Sequence, residues 1–490
     1  MLSLLKWHQY QGNLADILNQ FTYVDQLDIV KFLRETFDAL FAILERNQSL
    51  ALPVYNCTVS IINMLIDEHK RYYIFRPVLD NYISQFLNPT SGSPAPTSMN
   101  AFGIVHKHLL TCLKQYIDQV DTNPANVSKV LIPTLKGLEY IFKFIISSRL
   151  SLNKKHAVGV VQRVGSGTLS SGPGPNLLQS SGTNQKEDGW FKKDILDVLN
   201  GLNRLMCRKE KELIGPQILA LKNFTNMLAD LSDIFYNKEL STISGNFLVS
   251  IQYSETQKVL NTEKLNLMNK LVASELFTQK ESRDILLPVV LQQLKRHIDV
   301  NNAVSAEVQT QTATWTLPLS REEITESAKI LHNILLVAQP SASDGSVSAD
   351  RSCVKVMVEI LPELLECFNA VQYQYRTLHS QTFDNTLVAI LRMDLVTCIL
   401  GVFYLLEPND FTTFLKSKAE PDRSQLLYVT LKVIADMVMS ADSHDAKKSA
   451  LGISARDCYP SKWFSMIMFQ LATIKTMLET ISHTLTERVT

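Results

Sequence analysis

Asp25-Gln-Leu-Asp-Ile-Val-Lys-Phe-Leu-Arg-Glu-Thr-Phe-Asp-Ala-Leu-Phe-Ala-Ile-Leu-Glu-Arg46 decides the fold class. Ile29, Phe32, Leu33, Phe37, Leu40, Phe41 and Leu44 recur in it at i, i+3, i+4, i+8, i+11, i+12 and i+15. That spacing draws one apolar face along a helix, with Lys31, Arg34, Glu35 and Asp38 largely outside it. Each such side chain contributes about 1.5–3 kcal/mol when fully buried, so the stripe must dock on neighbouring helices.

Similar patterns follow at 54–69, 74–87, 101–119 and 127–149, and resume at 191–207, 215–237, 256–277, 282–299, 321–338, 352–378, 383–406, 423–440 and 461–486. Ser320-Arg-Glu-Glu323 reads as a capping box before an Ile324–Val337 helix. Pro53, Pro77, Pro133 and Pro288 are expected to start, break or kink helices, because proline removes a backbone donor. Strand signals are few; Val160–Val164 is short and lies in glycine-rich surroundings. The expectation is an all-α chain, either a bundle or a stacked solenoid. At 490 residues the chain exceeds the roughly 250–300 over which one core keeps growing. An elongated α-solenoid of degenerate armadillo- or HEAT-like repeats is therefore expected, without a strict sequence period.

Three stretches interrupt the pattern. Ser151–Gly189, with Gly165-Ser-Gly167 and Ser171-Gly-Pro-Gly-Pro175, reads as a flexible Ser/Gly-rich excursion, and Ser170 and Ser171 in it are plausible phosphorylation sites. Pro340–Ser352 and Ala441–Ala455 are shorter versions, and Asn88–Asn100 is a weaker break. The expected organisation is helical repeats over 1–150, an insert at 151–189, repeats over 190–339, a loop at 340–352, and a final repeat segment over 353–490 that reads as truncated.

Composition narrows the function classes. Hydrophobic residues make up 46% and charged residues 20%, an ordinary globular balance. Lys+Arg and Asp+Glu number 48 each, so the basic surplus needed to displace nucleic-acid counterions is missing. The densest basic stretch, Lys192, Lys193, Arg204, Arg208, Lys209 and Lys211, is interleaved by Glu210 and Glu212 and reads as a solvated helix face. Cys57, Cys112, Cys207, Cys353, Cys367, Cys398 and Cys458 are odd in number and scattered, which fits a reducing compartment and no disulfide framework. In that compartment the four sequons, starting at Asn47, Asn56, Asn126 and Asn223, are chance matches. Leu2–Leu5 is too short for a signal peptide. The longest apolar run, Leu395–Leu406, falls short of the ~20 residues a spanning helix needs, so a soluble chain without membrane insertion is expected.

No recognisable catalytic chemistry emerges. The sequence holds no G-x-x-x-x-G-K-[ST], C-x-x-C, H-E-x-x-H or G-x-S-x-G. His106 and His108, the one close histidine pair, would point about 200° apart on a helix and cannot chelate together; they read as two partly exposed histidines. Cys57 reads as a small core residue, Asp67, Glu68 and Asp80 as helix-face and helix-end charges, and Tyr72, Tyr73 and Phe75 as core packing rather than an exposed ledge. No catalytic, cofactor-binding or metal-binding residue is expected, and no cofactor.

Several stretches resemble the central helical region of the dedicator-of-cytokinesis (DOCK) family. They are Asp28-Ile-Val-Lys-Phe-Leu-Arg-Glu-Thr-Phe-Asp-Ala-Leu-Phe41, Val59-Ser-Ile-Ile-Asn-Met-Leu65, Phe75-Arg-Pro-Val-Leu-Asp-Asn-Tyr-Ile83, Glu139-Tyr-Ile-Phe-Lys-Phe-Ile-Ile-Ser-Ser-Arg149, and Ser274-Glu-Leu-Phe-Thr278 followed by Ser282-Arg-Asp-Ile-Leu-Leu-Pro-Val-Val-Leu291. They occur in the family's order; beyond residue 300 the likeness is looser, with Lys462-Trp463 as a further element. The Ser151–Gly189 and Ala441–Ala455 stretches depart from the family pattern as insertions. The resemblance implies a parent that is a guanine-nucleotide exchange factor of the Rac-acting type, with Rap as an additional target. It implies a lipid-binding C2-like domain before this region, a catalytic exchange domain after it, and an engulfment-and-motility (ELMO) adaptor as partner. It also implies a cytoplasmic protein, recruited to membranes through domains this chain lacks. The family's exchange residues have no matching positions here, so none is carried over. The expected function is a non-catalytic scaffold segment in small-GTPase signalling and cytoskeletal regulation. An independent helical-repeat adaptor is the alternative, and an enzyme with an unrecognised site a third.

Overall fold

The computed structural model describes residues 1–84, 105–121, 131–163, 184–254, 257–299, 320–338, 351–377, 383–406 and 408–419, with isolated positions near 422–432, 475 and 479. Helices and short 3-10 turns account for the regular structure of these residues, and none of them is in a strand. The chain divides into two compact units, Met1–Tyr236 and Asn237–Thr490. That boundary falls inside the repeat segment expected over 190–339.

In the first unit the helices are α1 Leu2–Leu5, α2 Leu14–Asn19, α3 Gln26–Lys31, α4 Leu33–Arg46, α5 Ala51–Ile66, α6 Arg76–Tyr82, α7 Val105–Asp118, α8 Leu138–Arg163, α9 Asn184–Cys207 and α10 Ile214–Leu231. The second unit has α11 Asn237–Ser250, α12 Lys258–Val272, α13 Glu275–Thr278, α14 Lys280–Ile298, α15 Arg321–Ala338, α16 Arg351–Met357, α17 Leu361–Thr377, α18 Phe383–Leu405 and α19 Pro408–Lys416. Within each unit the main packings join helices close in chain order. They include α7 on α8 and α9, and α8 on α10, in the first unit; and α11 on α14, α12 on α15, and α15 and α17 on α18 in the second. Stacking of near neighbours is the arrangement of helical-repeat proteins.

The opening stretch forms two helices rather than one. Asp25 caps α3 through its carboxylate, which accepts from the Leu27 amide at 3.0 Å. The chain then leaves helical geometry at Phe32, at φ −116° and ψ 35°. Phe32 was expected in the apolar face and is instead 42% exposed. Ile29 and Leu33, on either side of the break, are both buried. Phe37, Leu40, Phe41 and Leu44 follow the expected stripe and are fully buried. The Phe37 ring meets Tyr82 at 5.0 Å, Phe144 at 5.1 Å and Phe41 at 5.8 Å between centroids. This aromatic knot joins α4, α6 and α8, and the Tyr82 hydroxyl donates to Asp38 Oδ1 at 2.9 Å on its rim.

Several expectations change. α8 runs through Arg163 and α9 starts at Asn184, so both ends of the stretch expected as an excursion at 151–189 are helical, including 160–163 of the strand signal. Residues 164–183, with Ser170 and Ser171, lie outside the described residues, as do 85–104, 339–350, 441–455 and Lys462-Trp463. Pro53 and Pro77 sit in the first turns of α5 and α6, where no helical donor is lost. Pro288 lies inside α14, at an exposed position, and the helix continues past it. Gly201 permits close approach of α9 to α7, since a Cβ there would run into the Ile117 side chain.

Among the described residues one stretch, Gln48–Ile66, is long and apolar enough to cross a membrane by length and composition. Its Val54, Tyr55, Cys57, Ile61, Ile62 and Leu65 are buried in the first unit, as in a core helix. Leu395–Leu406 likewise lies mostly in the interior of the second unit.

Candidate functional site

Among the described residues, two places are candidates by shape or polarity. The first is a groove of about 440 Å³ in the first unit, between residues 21–29, α5, α7 and the helical residues 131–136. Its apolar wall includes Phe21, Val59, Met64, Tyr116 and Pro133. Two of its polar groups are engaged across the groove's own elements. The Tyr116 hydroxyl donates to Asn56 Oδ1 at 2.7 Å, and Asn63 Nδ2 donates to the Pro133 carbonyl at 2.9 Å. Lys70 lies 3.9 Å from Asp67 Oδ2, which accepts from Lys136 at 2.7 Å. The groove offers shape and apolar surface, the features of a binding site.

The second is a buried polar cluster in the second unit. Lys264 on α12 donates to the Ile251 carbonyl at 2.8 Å and to Gln293 Oε1 on α14 at 2.7 Å. One turn earlier on α12, Asn261 Nδ2 donates to the Ser254 carbonyl at 2.9 Å and reaches Glu323 Oε1 on α15 at 3.3 Å. Glu323 Oε2 in turn lies 3.0 Å from His297 Nδ1 on α14. The Tyr253 ring stands edge-on to His297 at 5.1 Å. Lys264, Asn261, Gln293 and His297 are at most 1% exposed, and Glu323 is 4% exposed. Burial pushes the His297 pKa down, against the opposing hydrogen bond from its ring to the Glu323 carboxylate. These hydrogen bonds close helix to helix, while His297 Nε2 is buried without a hydrogen-bond partner.

Sequence reading missed this cluster, although a signal was present. Lys264 interrupts the stripe Leu260, Leu267, Met268 and Leu271; Gln293 and His297 interrupt Leu286, Val290 and Leu294. A charged or amide residue at a core position of an amphipathic helix needs a buried partner. The capping box is also revised. Ser320 Oγ donates to Glu322 at 2.6 Å, while the Glu323 carboxylate turns inward to Asn261 and His297.

The other residues singled out in the sequence take structural places. His106 is not partly exposed: it is buried beside Ser148 and the Phe191 ring, and burial with the nearby Arg149 charge lowers its pKa to about 3. His108 is half-buried, as expected. Cys57 is a core residue whose thiol lies 3.4 Å from the Leu18 carbonyl. Burial pushes the thiols of Cys57 and Cys367 up to about 12 and that of Cys112 to about 11, the opposite of an activated nucleophile. Arg204 pairs with Asp118 at 2.8 Å and Asp121 at 3.3 Å, and Arg208 with Glu210 at 2.6 Å, which neutralises much of the basic stretch. Lys192 lies over the Phe235 and Tyr236 rings, and Lys193, Lys209 and Lys211 are exposed. Asp80 accepts from the Tyr140 hydroxyl at 2.7 Å. Tyr72, Tyr73 and Phe75 are half-buried rather than core, and Ile74 between them is 73% exposed. Among the described residues no group of three or more His, Cys, Asp or Glu side chains is placed to hold a metal ion.

The motif residues are largely packing residues. Tyr140, Ile141, Phe142, Phe144, Ile145 and Ile146 are core, and Arg149 beside them is also buried, its guanidinium over the Phe191 ring. Arg283 donates to the carbonyls of Phe277 and Thr278, closing the end of α13. Comparison with known proteins agrees with where these motifs fall. The family model described as the dedicator of cytokinesis (DOCK) TPR region matches residues 10–161 and 176–490. The mouse and human proteins named dedicator of cytokinesis protein 4 are each 25% identical over 424 residues, which is 85% of this chain and 18% of theirs. Human dedicator of cytokinesis protein 3 is 26% identical over 404 residues, 78% of this chain and 17% of that protein. The chain thus spans less than a fifth of the length of these curated relatives.

Proposed function

The chain belongs to the dedicator-of-cytokinesis (DOCK) family, and from that premise we propose that it serves as the non-catalytic central scaffold of a guanine-nucleotide exchange factor in Rac signalling, with Rap as an additional target. The observation that carries this reading is the match to the family's TPR region along nearly the whole chain. The two stacked-helix units support it, since such arrays offer long surfaces and hold other modules at fixed spacing. The scaffold separates a membrane-binding module from the exchange module. An ELMO-type adaptor and a Rac-family GTPase act with it through the full-length parent, in the cytoplasm and at membranes to which other domains recruit it.

The groove beside α5 favours a second reading, an independent helical-repeat adaptor that binds protein cargo. Affinity capture with the chain as bait, read by mass spectrometry against an unrelated helical-repeat control, separates the two. Enrichment of ELMO-type adaptors and other Rac-signalling components is expected. Enrichment of cargo unrelated to Rac signalling would favour the adaptor reading.

A further inference from the structure

Lys264 is a fully buried cation whose surroundings suit the neutral amine better than the ammonium. Its Nζ meets two acceptors, the Ile251 carbonyl at 2.8 Å and Gln293 Oε1 at 2.7 Å. A neutral amine has two N–H donors and is satisfied by these two bonds, whereas an ammonium has a third donor and a charge to settle. Among the described residues no carboxylate lies within ion-pair distance of Nζ. The nearest buried carboxylate in the cluster, Glu323, is committed to Asn261 and His297. A buried charge without an opposite partner is costly.

The bonds from this one nitrogen tie three elements: α12, the turn at Ile251 that follows α11, and α14. Of the charged groups on the elements around it, Arg296 and His297 lie on α14 and Glu323 on α15. Arg296 opposes a second positive charge at Lys264. Glu275 on α13 is exposed, and Glu326 and Lys329 on α15 pair with each other at 2.6 Å.

We propose that Lys264 makes the packing of α12 against α14 and the Ile251 turn a proton-sensitive joint, tightening when its amine loses a proton and slackening when it gains one. Burial first, and the Arg296 charge second, lower the ammonium's pKa from 10.5 to about 7. Between about pH 7 and 10.5, opening of the joint therefore takes up a proton, because the freed lysine is charged and the packed one is not. The stabilisation is fully present above the free lysine's value and is lost as pH falls through the packed one. His297 is separate: its depressed pKa places its own loss of stability below 6.5.

The test is hydrogen-exchange protection of α12 and α14 in the full chain from pH 7 to 9, corrected for intrinsic exchange. Protection is expected to rise by about tenfold per pH unit over the part of that range above the packed lysine's pKa. Lys264→Met, which cannot titrate, is expected to flatten the rise. Protection that does not change with pH, or a Lys264→Met protein that keeps the slope, would overturn the proposal. Where Lys264→Met does not fold, lysine Cε resonances of the unaltered chain decide. One lysine titrating near neutrality supports the joint, and titration of every lysine above about pH 9.5 overturns it.

Discussion

Phe37→Ala is expected to destabilise the first unit by about 3–5 kcal/mol, the range for emptying a large aromatic site in a packed core. Phe37 is fully buried, and its ring contacts Phe41, Tyr82 and Phe144 from three helices. Truncation removes apolar burial and leaves a cavity whose walls belong to α4, α6 and α8, so collapse in one direction pulls on the other two elements. Phe32, five residues earlier and part of the same apparent stripe, is 42% exposed. Phe32→Ala is therefore the control, with an effect within about 0.5 kcal/mol. Denaturant unfolding measures both. Equal midpoints for the two variants would mean that Phe37 does not occupy the centre of this core.

Glu323→Ala is expected to cost the second unit about 2–3 kcal/mol, because it strands the buried His297 Nδ1 and removes one of the two acceptors of Asn261 Nδ2. His297 Nδ1 has the Glu323 carboxylate as its partner, Asn261 Nδ2 keeps the Ser254 carbonyl but loses its second acceptor, and all three residues are nearly inaccessible. Glu323→Gln keeps an acceptor and the side-chain volume, so a smaller loss of about 1 kcal/mol is expected. The pH dependence has a definite sign. His297 has a folded-state pKa below its ordinary 6.5, through burial, so the folded unit prefers the neutral ring. Stability is full above 6.5 and declines as pH falls through the depressed value. Replacing Glu323 removes the bond that favours the charged ring, so the decline steepens in Glu323→Ala. Thermal unfolding of the three proteins at pH 7 and pH 5 gives the comparison; equal losses on acidification in all three would show that His297 and Glu323 are not coupled.

Much of the fold could be read from periodicity. The stripe at Leu33, Phe37, Leu40, Phe41 and Leu44 is buried as its spacing requires, and the helical class follows from many such stripes. The turn at Phe32 was not readable, because a one-residue break preserves the spacing on either side. The helical ends at 151–163 and 184–189 were hidden by serine and glycine content, which lowers helix propensity without forbidding the helix. The buried cluster was partly readable: Lys264 and His297 stand in apolar stripes. Which partners they find is a tertiary matter, since Glu323 is 59 residues from Lys264 in sequence and reaches the same interior only through α15. His106 shows the same limit. Its place on a helix was correct, but its burial depends on Ser148 and Phe191 from other helices.

The motifs that connect this chain to its family are mostly interior. Arg283 closes α13, Arg149 lies over Phe191, and Phe144 belongs to the aromatic knot. A family recognised through such residues is recognised through its packing, which supports the proposed scaffold reading. The most direct measurement of that view is release of a fluorescent guanine nucleotide from purified Rac, with and without this chain. A release rate indistinguishable from that of Rac alone is the result predicted for a scaffold segment. Robust acceleration by the chain alone would contradict it.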